Sequence, residues 1–246
     1  MHPIYASLYL SISLVFAVHI YKLITTKLKK VVFLICVVFL AIILAILTRK
    51  GIIATSFLIF LIHFSKNQKR RNLIWFLIIT FGLLIIGYNI PPIKNRFSEL
   101  LEAFLNSNNS KLGSTTIRMM IYDCSLSLIG DNPLLGYGVG DTKAVLSECY
   151  FTNSNITIKE YYNSHNQFLS AWLAAGVIGV ASLLGMVLYN LKLAIKSSSF
   201  VHISVIILFF VSMLTENILE RQNGVLLFSF IINLFAFEAY KKTVNE

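Results

Sequence analysis

His165 is the side chain in this sequence best placed for chemistry, in Ser164-His165-Asn166 immediately before the apolar block 168–194. At the mouth of a membrane-crossing block it can meet both water and a lipid-borne substrate. An imidazole titrates near neutrality and suits removal of a proton from a sugar hydroxyl; the bland alternative is an interfacial or helix-capping histidine. Arg49 interrupts two apolar segments in Thr48-Arg49-Lys50-Gly51. A cation at that depth is costly and is ordinarily paired or faces a cavity. Guanidinium grips phosphate oxygens with two parallel hydrogen bonds, which suits a diphosphate-linked lipid; a charged tip on a tight helical hairpin accounts for Arg49 equally well.

Arg118 stands one step off an apolar stripe formed by Ile117, Met120, Ile121, Cys124 and Leu128. That spacing predicts a helix, with Ser114, Thr115 and Thr116 as capping candidates and Gly130-Asp131-Asn132-Pro133 as its end. A cation near a helix N-terminus gains nothing from the helix dipole, so Arg118 requires another partner. Arg221 follows Glu216 and Glu220 in a short loop. Arg221 and Glu216 are supporting candidates, although salt pairing at an exposed loop is the plain account of the group and is worth little. The run 136–140 resembles a phosphate-cradling loop but lacks the following Lys-Ser/Thr and a βαβ setting, so it reads as turn chemistry. No clustered His/Cys set and no Asp-x-Asp pair suggests a metal. Catalysis would then run on cations and a general base, without metal or cofactor.

The elements that must position these residues are membrane helices. Hydrophobic residues make up 57% of the chain and charged residues 13%, with mean hydropathy +0.75. A soluble domain carries roughly a quarter charged residues, so the composition predicts an all-α integral membrane protein. Blocks 4–25, 31–47, 51–64, 73–90, 168–194, 201–214 and 224–240 make seven expected spans. The block 51–64 is short, and a full crossing is favoured because the lysine-rich segment after it would otherwise fall on the wrong side. Three regions follow: helices one to four in residues 1–90, a polar loop region with amphipathic helices in 91–166, and helices five to seven in 167–246.

Seven crossings gather Lys22, Lys27, Lys29, Lys30, Lys66, Lys69, Arg70, Arg71, Lys192, Lys196, Lys241 and Lys242 on one side. That is 12 of the 21 cations, so the net charge of +10 is a positive-inside signal and not the footprint of a nucleic-acid partner. The C-terminus is therefore expected in the cytoplasm, with Arg49, the 91–166 region and the Glu216 loop outside. An outer N-terminus without a charged leader suggests the C-terminal part of a larger bundle, with a real start and an outward N-terminus as the alternative. Within the outer region, Phe97, Leu100, Leu101, Phe104 and Leu105 have the spacing of an amphipathic helix. Cys36 lies in a span and reads as a packing residue. Cys124 and Cys149 share the outer region, where a bridge is permitted, but three cysteines impose no pairing and two free thiols are expected.

Thr48-Arg49-Lys50-Gly51 resembles the Ser-Arg-Gly element of the O-antigen ligase and polymerase family. Arg118, followed by Ile129-Gly130-Asp131-Asn132-Pro133-Leu134-Leu135-Gly136-Tyr137-Gly138, is similar to its signature of an arginine, an apolar helix and Pro-Leu-Leu-Gly-x-Gly. Ser164-His165-Asn166, then Gly176-Val177-Ile178-Gly179, resembles its His-Asn element and Gly-x-x-Gly span. The resemblance covers roughly residues 47–194. It implies part of a lipid-phosphosugar glycosyltransferase (GT-C type) bundle in the bacterial inner membrane, working at the periplasmic face without metal or nucleotide. The donor it implies is a glycan on undecaprenyl diphosphate; the acceptor is lipid A-core or a growing lipid-linked polysaccharide. His165 would activate the acceptor hydroxyl, and Arg49 and Arg118 would neutralise the leaving diphosphate. A non-catalytic membrane protein, either a transporter subunit or an inactive remnant, is the alternative. Against the transporter stands the clustering of polar candidates at one membrane face.

Overall fold

The computed structural model describes residues 3–21, most of 23–40, 114–153 and 162–244. Among these the chain forms α1 (Pro3–Tyr21), α2 (Ser114–Asp131), α3 (Thr142–Asn153), α4 (Gln167–Lys196), α5 (Phe200–Thr215), a 3-10 turn (Ile218–Glu220) and α6 (Gln222–Val244), and no strand. Arg49, His63, the 97–105 stripe, the expected spans 51–64 and 73–90 and most of 31–47 lie outside the described residues.

Helices in lipid gain little by burying apolar surface, because lipid is as apolar as leucine. Close approach at small residues and satisfied polar groups hold them together instead. The bundle of α1, α4, α5 and α6 follows this logic. Ser7 and Ser11 of α1 and Ser204 and Ser212 of α5 are buried beside Leu8, Val205, Leu208 and Met213. Ser7 and Ser11 return their hydroxyls to their own helix, on the carbonyls of Ile4 and Ser7, each at 2.8 Å, and Ser212 does the same to Leu208 at 2.7 Å. Larger rings fill the remaining gaps: Phe209 meets Phe228 edge-on at 5.0 Å, and His202 stacks on Phe235 at 5.1 Å. By length and composition, α4 and Gln222–Lys241 of α6 can cross a membrane; α1 and α5 are apolar but shorter.

Caps set the helix ends. The Asn166 side chain accepts from the backbone N–H groups of Phe168 and Leu169 and starts α4; Ser199 does this for α5 through His202. The expected stripe in 114–131 is a helix, α2, ending at Asp131 just before Asn132-Pro133. The helix α3 was not expected from the pattern. It packs on α2 through Ile121, Leu146 and Tyr150, and the two are joined by a Cys124–Cys149 disulfide with Cα atoms 5.9 Å apart. The expectation of free thiols is thereby corrected. The stripe that carries Cys124 faces α3, and α3 brings Cys149 within bridging range.

The expected span 168–194 lies within α4, and the helix is interrupted part-way along it. α4 breaks at Ala175 and Gly176, and Gly176 adopts φ 60°, ψ −152°, a conformation essentially reserved for glycine. The two limbs fold back on each other: a Cβ on Gly179 would lie 2.4 Å from the carbonyl oxygen of Ala171, eight residues earlier. The loop 133–140 fills the break. Tyr137 and Gly138 donate to the carbonyls of Leu173 and Ala174 at 2.7 and 3.0 Å, and Val177 donates to Pro133 at 3.0 Å. Each bond replaces a helical partner that the break removes. Gly136 and Gly138 have positive φ, and a side chain on Gly136 would strike the Leu173 carbonyl. The run 136–140 is thus a turn in which the Tyr137 and Gly138 N–H groups bond to α4.

Candidate functional site

Four short pieces of backbone converge beside the first limb of α4. Arg118 comes from the first turns of α2, His165 from the segment entering α4, Glu216 from the residue that ends α5, and Asn217 and Glu220 from the turn beyond it. Glu216 is 6% exposed and links the other two charged candidates. One of its oxygens accepts from Arg118 at 2.6 Å, and the other lies 3.0 Å from His165 Nδ1. Arg118 also donates to the Thr215 carbonyl at 3.4 Å. This is the partner that the position of Arg118 demanded. A buried carboxylate costs free energy unless it is paired, so each member constrains the others.

The backbone of His165 is held at both its N–H and its carbonyl. His165 has φ 48°, left-handed backbone that histidine adopts more readily than most residues yet still at some cost. Its N–H donates to the Asn163 side chain at 3.2 Å, and its carbonyl accepts from the Tyr122 hydroxyl at 3.3 Å. Burial raises the pKa of that hydroxyl above the ordinary phenol value; the nearby Arg118 opposes the shift and Glu216 adds to it. Tyr122 therefore remains a hydrogen-bond donor at neutral pH.

A second set of bonds ties this segment to the turn after α5. Ser164 donates to the Asn166 carbonyl at 2.8 Å and accepts from Asn217 at 3.3 Å. Gln167 accepts from the backbone of Leu219 at 2.8 Å. Glu220 receives Ser170 at 2.7 Å, Asn163 at 3.2 Å and also Asn217. Gly224 permits this turn to lie close, because a side chain there would overlap the Ile218 carbonyl. His165 and Glu216, 51 residues apart in sequence, are thereby held at a fixed distance.

This arrangement has definite chemical capacities. An ionised Glu216 can only accept, so it holds the imidazole proton on Nδ1 and leaves the Nε2 lone pair as a base. The side chain of His165 is 19% exposed, which leaves access from outside. Arg118 commits two of its five N–H donors to Glu216 and Thr215, and the rest can meet an anion. Among the described residues no three of His, Cys, Asp and Glu gather as metal ligands.

The structure brings together Arg118, His165 and Glu216, three of the residues singled out by sequence. Arg221 is exposed at the start of α6, where its carbonyl accepts from Gly224 and Val225. Glu216 turns to Arg118 and His165, and Glu220 to Ser170, Asn163 and Asn217. Tyr122, Ser164, Asn217 and Gln167 were not anticipated in these contacts. Only the adjacency of Ser164 and Gln167 to His165 hinted at them.

A protein-family model described as O-antigen ligase matches residues 34–184, more than half of the chain. The match takes in Arg49, Arg118, the loop 133–140 and His165, whereas Glu216 and Arg221 lie beyond it. No curated protein matches the chain.

Proposed function

The chain belongs to the O-antigen ligase family, and from that premise we propose that it transfers a glycan from undecaprenyl diphosphate to an acceptor hydroxyl. The family and the apolar helices make it a bacterial membrane protein of surface-polysaccharide synthesis. In this reading the acceptor is lipid A-core or a growing lipid-linked polysaccharide. The reaction takes place at the periplasmic face of the inner membrane, with seven spans and a cytoplasmic C-terminus.

The observation that carries the reading is the Arg118–Glu216–His165 chain. His165 Nε2 takes the proton of the acceptor hydroxyl as its oxygen attacks the anomeric carbon of the donor sugar. The bond from that carbon to the diphosphate oxygen breaks, and the electron pair leaves with undecaprenyl diphosphate. Arg118, with Arg49 as its companion, neutralises the developing charge through paired N–H contacts. Glu216 stabilises the imidazolium that forms and holds the ring in orientation, as carboxylates do for catalytic histidines generally.

The test is glycan transfer in membranes containing full-length protein. General-base catalysis contributes about 10²–10⁴-fold, so His165→Ala is expected to lower transfer by that order with membrane abundance unchanged. Arg118→Lys is expected to lose most activity, because a point charge cannot replace the planar fork. His63→Ala, expected at the cytoplasmic end of the 51–64 block and so away from the site, is the control and is expected to be nearly silent. Full transfer by His165→Ala, with the control behaving normally, would falsify the mechanism.

A further inference from the structure

The run from Asn132 to Gly140 contains no charged side chain, although Asp131 and Asp141 stand on either side of it. Its tip is apolar and bare: Leu134 is 67% exposed, Leu135 74% and Val139 83%. A turn over water is ordinarily built from Gly, Pro, Asn, Asp and Ser. Here Gly136 and Gly138 supply the turn geometry, so the leucines and the valine are not needed to shape it.

The height of this tip follows from α4. The loop is bonded to the break at Ala175–Gly176 through Tyr137, Gly138 and Pro133. Residues 177–196 run from that break to the end of α4, and at 1.5 Å per residue they measure about 30 Å, the thickness of the hydrocarbon core. The tip therefore lies at one boundary of the bilayer, whichever way the chain is oriented. Two further observations agree. Val177 and Ile178, the first residues of the spanning limb, are also exposed. They sit directly beside the loop, since Val177 donates to Pro133. Trp172 donates its indole N–H to the same Pro133 carbonyl at 2.9 Å, the amphipathic placement tryptophan favours at a membrane interface.

We propose that the loop 133–140 is a membrane-dipping wedge whose Leu134, Leu135 and Val139 enter the lipid acyl chains beside the break in α4. The bilayer is the occupant because the bare tip is continuous with the flank of a spanning helix and carries no charge or side-chain donor to recognise a protein. Such a wedge fixes the height of the α4 hairpin, and hence of the His165 segment at its start, relative to the lipid headgroups. The inference rests on membrane insertion of α4 and not on the glycan-transfer reading.

The experiment uses the full chain with Cys36→Ser, retaining the Cys124–Cys149 bridge. Leu135→Cys and Val139→Cys are spin-labelled separately and reconstituted in phosphatidylcholine vesicles, with Lys143→Cys on α3 as the water-exposed reference. Collision rates with oxygen, which concentrates in lipid, and with a water-soluble nickel chelate are then compared. The oxygen-to-nickel ratio is expected to be several-fold higher at 135 and 139 than at 143. A ratio equal to that at 143 would overturn the proposal in favour of a solvated loop. Protection from both reagents would overturn it in favour of a protein cover, such as a second copy of this chain. Should Leu135→Cys fail to accumulate, Leu134→Cys provides the same readout.

Discussion

Replacing Glu216 with glutamine removes one charge and almost no volume. Glutamine retains an acceptor oxygen and the side-chain length, so what is lost is the charge assistance in the contacts at 2.6 Å to Arg118 and 3.0 Å to His165. Hydrogen bonds to charged groups contribute about 1.5–3 kcal/mol each. Arg118 and His165 have side chains 29% and 19% exposed, so solvent screening reduces both values. A net loss of about 1.5–3 kcal/mol in the transfer step corresponds to a roughly 10–160-fold slower reaction. The assay is glycan transfer normalised to membrane abundance, in single and double variants. Because Glu216 acts through His165, Glu216→Gln should cost much less in a His165→Ala background than alone, the residual effect running through Arg118. Two results would refute the reasoning: transfer by Glu216→Gln within twofold of the parent, or losses in the double variant that simply multiply.

Three other outcomes test the fold. Gly176→Ala forces a side chain into φ 60°, ψ −152° and within 2.0 Å of the Leu134 carbonyl; the backbone strain alone costs about 1–3 kcal/mol, and a marked fall in membrane abundance is expected on immunoblots. Replacing both Cys124 and Cys149 with serine opens a bridge of sequence separation 25; chain entropy sets the loss near 3.5 kcal/mol, visible as easier proteolysis between α2 and α3, while parent protein should migrate differently with and without reductant. For topology, a reporter fused after Arg71 is expected to be active only in the cytoplasm and one after Lys111 only in the periplasm; the opposite pattern would reverse the placement of the whole site.

Much of the helical framework was legible in the residues themselves. Hydrophobic blocks at 4–25, 201–214 and 224–240 became α1, α5 and α6, because in lipid every backbone group must be satisfied within its own segment. The α2 stripe and its Asn132-Pro133 terminator were also visible, since periodicity and helix stops are local properties. The local motif around His165 marked that residue without its surroundings.

Relations between distant segments were decided only by the tertiary structure. Glu216 looked like a member of a solvated loop, and nothing within its own few residues indicates burial. It is buried because the turn after α5 docks on the segment entering α4 and meets the first turns of α2. Nor does any periodicity reveal that 168–194 contains a fold-back. Gly176 alone is compatible with a straight helix, and the break is stable only because Pro133, Tyr137 and Gly138, some 40 residues upstream, supply the missing hydrogen bonds. The disulfide obeys the same rule, because packing of α3 on α2 sets the distance between its two cysteines. Sequence determined which residues had suitable chemistry and which segments were helical. The pairing of charges, the break and the bridge depended on contacts across long sequence separations, which no local pattern encodes.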